Sequence, residues 1–171
     1  MIYYLLFSLL FMNNSDLPNL PNYDFTKAWE EVDSLYNNGF PKEAYQKVNS
    51  ICQQAKQLKE NNHLVKAIIY QGSLSLQLEE YGVTHTDKLF RDELKNISSP
   101  YKNILHSYYG EFLNNYLQNN RYIINQRTNT VDSVDLLTAS SAQLIQMIDK
   151  QYEWSLKDAN LLTGKTESYK P

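Results

Sequence analysis

Cysteine occurs only once, at Cys52, so no internal disulfide can form. That suits a reducing compartment, and equally a periplasmic domain stable without bridges. Histidine is nearly as scarce: His63, His85 and His106 fall on separate expected elements, and there is no His-x-x-x-His pair. Metal-ligand spacing is therefore missing, and no metal or other cofactor is expected. Glycine-rich phosphate loops and nucleophile-elbow motifs are absent too. The net charge of -3 argues against a surface that tracks phosphates, and the aromatics lack the basic neighbours that base stacking needs, so nucleic acid is not expected as a partner. Residues 1–12, MIYYLLFSLLFM, form an apolar run too short for a membrane span, which takes about 20 residues. They read as the apolar core of a signal peptide, though without a basic leading region or a clear small-residue cleavage site. A start site assigned too late accounts for the missing basic residues. The competing reading is a hydrophobic N-terminal strand or helix docked on the domain.

Helical periodicity dominates what remains. With Gly 5 and Pro 5, few breaks interrupt it, and the hydrophobic content of 42% suits a single domain. A domain of this length buries on the order of 70% of its unfolded surface. The expected fold is all-α: antiparallel hairpins in a tetratricopeptide-like array of about five to seven helices. Residues 13–22 read as a linker, 23–164 as the helical domain, and 165–171 as a tail leading to downstream domains, which makes the chain a fragment. The strongest pattern lies in Ser99–Thr128. Tyr101, Ile104, Leu105, Tyr108, Tyr109, Phe112, Leu113, Tyr116 and Leu117 recur at helical spacing, with Lys102, Asn103, Ser107 and Glu111 on the opposite face. Ser99 is the expected cap and Pro100 the first helical residue. The other helices are expected to pack around this one.

The remaining elements follow the same logic. A first helix runs from about Asp24 to Asn37 with Phe25, Ala28, Trp29, Val32, Leu35 and Tyr36 inward, and Asn37-Asn38-Gly39 ends it. A second runs from Pro41 to about Asn61, with Ala44, Val48, Ile51 and Cys52 inward. A third covers about His63 to Tyr81, and Gly72 within it marks a close helix crossing. Tyr81-Gly82-Val83 reads as a turn before a short helix from about Thr86 to Asn96. Arg121 to Asn125 adds one turn, Arg127 to Val134 is a polar loop, and a last helix spans about Leu136 to Leu162. Its expected inner stripe is Ile145, Ile148, Tyr152, Leu156 and Ala159, and Gly164 stops it.

Candidate chemistry is sparse, and no catalytic residue is expected. Cys52 lies on an apolar face and reads as a small buried hydrophobe. Glu79-Glu80 at a helix end reads as solvated charge rather than an acid–base pair. His106 borders the apolar stripe and reads as a core histidine bonded to a neighbour. The site residues singled out are Arg121, Tyr122 and Arg127. Two arginines beside aromatics can dock another domain through carboxylates or stacking. They can also cap the carbonyls ending the long helix. Both readings stand.

Several short motifs occur in order: Trp29-x-x-Val32-Asp33-x-Leu35, Gly39-Phe40-Pro41-Lys42-x-Ala44, Leu64-x-Lys66-Ala67, Pro100 with Ile104-Leu105-His106-Ser107, Glu111, Tyr116, Asn120-Arg121-Tyr122 and Arg127-Thr128. From Trp29 to Leu156 the chain resembles the N-terminal helical region of alpha-2-macroglobulin family proteins of Bacteroidetes. It departs from them at Phe40, where they tend to show Leu, at Tyr122, where they show Trp, and at Thr138-Ala139-Ser140, where they show a Thr-Trp-Asp run. The resemblance implies a non-catalytic leading module of an exported, periplasmic or envelope-associated protease inhibitor. Its partners would be downstream domains of the same chain and, through them, proteases, with membrane contact only through the signal segment. The family's thioester motif is Cys-x-x-Gln. Ala55 stands where its Gln would be, so Cys52 is not that cysteine. The alternative function is a free-standing tetratricopeptide-like adaptor in the periplasm, binding a peptide on a concave aromatic surface fed by Tyr45, Tyr108 or Tyr109.

Overall fold

A computed structural model describes residues 23–128 and 135–157. The proposed signal segment, the linker up to residue 22, most of the 127–134 loop, Ala159, Gly164 and the tail lie outside the described residues. Those described form seven helices and no strands. They are α1 (Phe25–Asn37), α2 (Pro41–Leu58), α3 (Asn61–Leu78), α4 (Gly82–Glu93), α5 (Tyr101–Asn119), α6 (Arg121–Ile124) and α7 (Ser141–Leu156). Helices α1 to α4 pack serially as antiparallel neighbours, and α5 pairs with α7. The expected antiparallel hairpins are present. The long helix is nevertheless not a hub: α5 leans lightly on α3 and α4 and spends most of its apolar face on α7.

Local chemistry explains the boundaries. Asp24 caps α1, its carboxylate accepting from the Lys27 amide at 3.0 Å. Gly39 follows in the left-handed region at φ 83°, which its missing Cβ permits. Pro41 opens α2 as expected, but α2 stops earlier than its pattern suggests. Lys59 turns left-handed at φ 59°, and the Glu60 amide donates to Ala55 O at 2.9 Å. Helix α3 therefore starts two residues before His63 and ends at Leu78.

The Tyr81-Gly82-Val83 turn is a correction: the chain turns at residues 79–81, and Gly82 already begins α4. A Cβ on Gly82 would sit 2.3 Å from the Ser75 carbonyl oxygen, so only glycine lets α4 start this close to α3. Gly72 marks the expected crossing. A Cβ there would meet Thr86 Cγ2 at 3.1 Å, and the Thr86 hydroxyl donates to Gly72 O at 3.1 Å. At α5 the expected Ser99 cap does not form. Pro100 is the flanking residue, without a side-chain cap, and the Lys102 amide donates to Ser98 O.

The inner stripe of α7 is displaced from expectation. Leu144, Ile148, Gln151 and Ser155 are buried, while Ile145, Tyr152 and Leu156 are exposed. A capping box sets the start of α7 at Ser141: the Ser140 hydroxyl accepts from the Gln143 amide, and the Gln143 side chain accepts from the Ser140 amide. The polar buried face is held by α5, whose His106 and Asn103 bond Gln151 and the Ser155 carbonyl. Tyr36 is likewise exposed rather than inward.

Candidate functional site

The α5–α7 pair presents two ends, and the singled-out residues sit at one of them. Here α5 finishes, α6 makes a single turn and α7 begins. Ile124 is fully buried and anchors the turn, leaving Tyr122 81% and Ile123 59% exposed. Arg127 points back into the fold. Its guanidinium donates to the Ala139 carbonyl at 3.0 Å and to the Tyr116 hydroxyl at 3.3 Å. That ties the segment entering α7 to α5 and replaces the expected capping of α5's last carbonyls, which Asn120 performs at Tyr116 O. Arg121 is exposed and borders a shallow cavity of about 250 Å³ with Leu117, Ile145 and Asp149. The three residues therefore divide: Arg127 is a strut, and Arg121 and Tyr122 face outward.

At the other end, polar groups are buried. Asn103, assigned by spacing to the outer face, is only 4% exposed. Its amide nitrogen donates to the carbonyls of Trp154 at 3.2 Å, Ser155 at 3.4 Å and Lys157 at 2.5 Å. These carbonyls end α7, where Trp154 O also takes the Lys157 amide, so Asn103 caps a helix from a neighbouring one. Its Oδ1 is buried without a partner among the described residues. One turn further along α5, His106 Nδ1 lies 2.7 Å from Gln151 Oε1. A carboxamide oxygen only accepts, so Nδ1 carries the ring proton. Burial holds this imidazole below its usual pKa, the Gln151 bond opposes that, and Lys102 adds to the lowering. His106 is a core histidine, as expected.

Next comes a buried carboxylate that the sequence reading missed. Asp87 on α4 is 2% exposed, accepts from the Tyr109 hydroxyl at 2.6 Å, and pairs with Arg91 one turn along its own helix. Burial pushes the Tyr109 hydroxyl far above the usual phenol range, and the Asp87 bond pushes the same way. Burial works against the charge on Arg91, but Asp87 outweighs it and the guanidinium pKa rises. Only an Asp–x–x–x–Arg spacing on a helix signals this in the sequence. Tyr109 joins it from 22 residues away.

Between these groups lies a cavity of about 680 Å³, a size typical of ligand sites. Arg91, Lys95, Lys102, Lys150 and Lys157 line it, and among the described residues no carboxylate does. That gathers five of the chain's sixteen lysines and arginines around one opening in a protein of net charge -3. Leu94, Met147 and Trp154 supply its apolar wall.

The other expected groups are dispersed. Cys52 is buried on α2, and burial raises its thiol pKa. Glu79 is not simply solvated: it accepts from Ser75 Oγ at 2.9 Å and lies 2.7 Å from His85 Nδ1. His63 stacks on Phe25 and accepts from Trp29 Nε1 at 3.1 Å. Among the described residues no three His, Cys, Asp or Glu side chains cluster closely enough to hold a metal ion. No helix among them is long and apolar enough to cross a membrane.

Known families, curated proteins and solved structures offer no match to this chain.

Proposed function

We propose that the chain is a non-catalytic helical module that docks a neighbouring domain of its own polypeptide through the α6 corner. The observation that carries this reading is the contrast within one turn: Ile124 and Arg127 lock the corner from beneath, while Tyr122 and Ile123 stand exposed beside Arg121. An exposed aromatic on an anchored turn, next to an arginine, is the composition of an interface anchor. The motif order from Trp29 to Leu156 supports placing the module at the head of an exported macroglobulin-like protease inhibitor. The test begins with the genomic sequence past the codon for Pro171. The reading expects an open frame encoding β-rich domains; a stop codon there overturns it. In the protein expressed from that frame, Tyr122→Asp with Ile123→Asp should expose the module's boundary to limited proteolysis while helical content stays unchanged.

A second reading, the free-standing adaptor, has one observation in its favour. Tyr70, Tyr101 and Tyr108 border a groove of about 220 Å³ between α3 and α5. Tyr109, offered as a contributor, is buried against Asp87 and cannot take part.

A further inference from the structure

We propose that the cation-lined cavity between α4, α5 and α7 binds an acidic peptide segment carrying apolar side chains. This goes beyond the α6 docking reading and does not depend on it, since the two surfaces lie at opposite ends of α5–α7.

Charge complementarity is the first argument. Lys102, Lys150 and Lys157 have no carboxylate partner among the described residues, whereas the wall's other two cations, Arg91 and Lys95, pair with Asp87 and Asp92. Lys150 lies over the Trp154 ring at 4.8 Å, so it is held at the rim rather than paired away. Crowded ammonium groups repel one another, and an anion bound among them relieves that repulsion. The lysine heads stay partly solvated, which favours steering and selectivity for an acidic ligand.

The second argument separates a peptide from other anions. Asn103 Oδ1 is an acceptor in a side chain that is 4% exposed, and nothing among the described residues donates to it. The amide cannot turn round, because its nitrogen is committed to the carbonyls ending α7. An unpaired buried acceptor is costly and calls for an N–H or O–H donor. The oxygen is closed to solvent, so a peptide N–H reaches it with a shift of the cavity wall; a polyphosphate backbone brings no such donor. The third argument is the wall of Leu94, Met147 and Trp154, which gives apolar side chains a surface that a purely charged ligand would leave unused.

The test uses the whole chain and calorimetric titration with a short N-acetylated peptide of alternating glutamate and leucine. Saturable binding is expected, with a change in Trp154 fluorescence that is lost in Trp154→Phe. The matching glutamine–leucine peptide should not bind. Lys102→Glu with Lys157→Glu should weaken binding by about tenfold or more, whereas Lys42→Glu, on the exposed face of α2, should leave it unchanged. Methylating the peptide's backbone nitrogens one at a time should find one position at which affinity drops. Circular dichroism checks that each variant is folded. No binding up to millimolar peptide, binding indifferent to the Lys102/Lys157 reversal, or equal affinity for an oligothymidylate of the same charge would each overturn the proposal. The last outcome would mark a general polyanion surface instead.

Discussion

The two ends of the α5–α7 pair hold the same helices together by different physics. At the α6 end, Leu113, Leu117, Leu144 and Ile148 meet as apolar side chains, and polar groups serve only at the margins, as the Ser140 cap and the Arg127 strut. At the cavity end the interior is polar: Asn103, His106, Gln151 and the Tyr109–Asp87–Arg91 set. Apolar contacts tolerate small shifts, whereas buried polar pairs stabilise one arrangement and penalise every other. The cavity end therefore fixes the register of α4, α5 and α7 relative to one another, and the α6 end supplies adhesion.

The largest effects test that division directly. Leu144→Ala should cost about 3 kcal/mol in urea unfolding, the usual result of opening a fully buried leucine site. Asp87→Ala should cost about the same for another reason, because it strands the Tyr109 hydroxyl in the core and releases Arg91. Tyr109→Phe should cost only about 1 kcal/mol, since Asp87 keeps its arginine. If Tyr109→Phe proved as damaging as Asp87→Ala, the carboxylate would not organise this end and the contrast would fail.

Gly82→Ala comes next, at about 2 kcal/mol, because the added methyl meets the Ser75 backbone and α4 must back away from α3. That movement carries Asp87 with it, so the loss should shrink in an Asp87→Ala background. Ser140→Ala at the α6 end should cost about 1 kcal/mol, the usual value of an N-cap, and should be additive with Asp87→Ala.

What could be read in advance follows the same divide. Periodicity and cap residues located α1 and α2 because their inward positions are apolar and their ends carry Asp24, Gly39 and Pro41, whereas α5 was legible by periodicity alone, its Ser99 cap absent and Asn103 and His106 buried. The inner face of α7 was misread because Gln151 and Ser155 are buried where an apolar stripe was sought. Their burial is explained by His106 and Asn103, which lie about fifty positions away. The cavity was invisible for a related reason. Its cations are scattered from Arg91 to Lys157 and form no run, so only the antiparallel pairing of α5 with α7 brings them together. Arg121, Tyr122 and Arg127 are adjacent in sequence and could be singled out, but which of them faced inward depended on where Ala139 arrives.

The smallest expected effect concerns pH, and it separates the cavity from the α1–α3 region. Burial is the leading cause that lowers the imidazole pKa of both His63 and His106. The unfolded chain thus binds protons that the folded chain refuses. The stability each histidine allows is fully present above the unfolded pKa of about 6.5, and it declines as pH falls through the interval down to the lower folded value. Glu79 and Asp92 titrate lower, since hydrogen bonds from His85 and from Lys88 and Lys95 respectively depress their pKa values. The loss just below pH 6.5 therefore belongs to the histidines. The two differ in what resists the proton. At His63 Lys66 adds to the lowering and Glu60 opposes it, and the lone pair on Nδ1 is occupied by the Trp29 N–H, so protonation breaks a bond between α1 and α3. At His106 Nδ1 already donates to Gln151, and the Lys102 charge contributes to the resistance. Lys102→Met should raise the His106 pKa in a proton NMR titration and flatten part of the stability loss, leaving His63 where it was. Equal shifts at both rings would mean that Lys102 acts through the whole fold rather than through the cavity field.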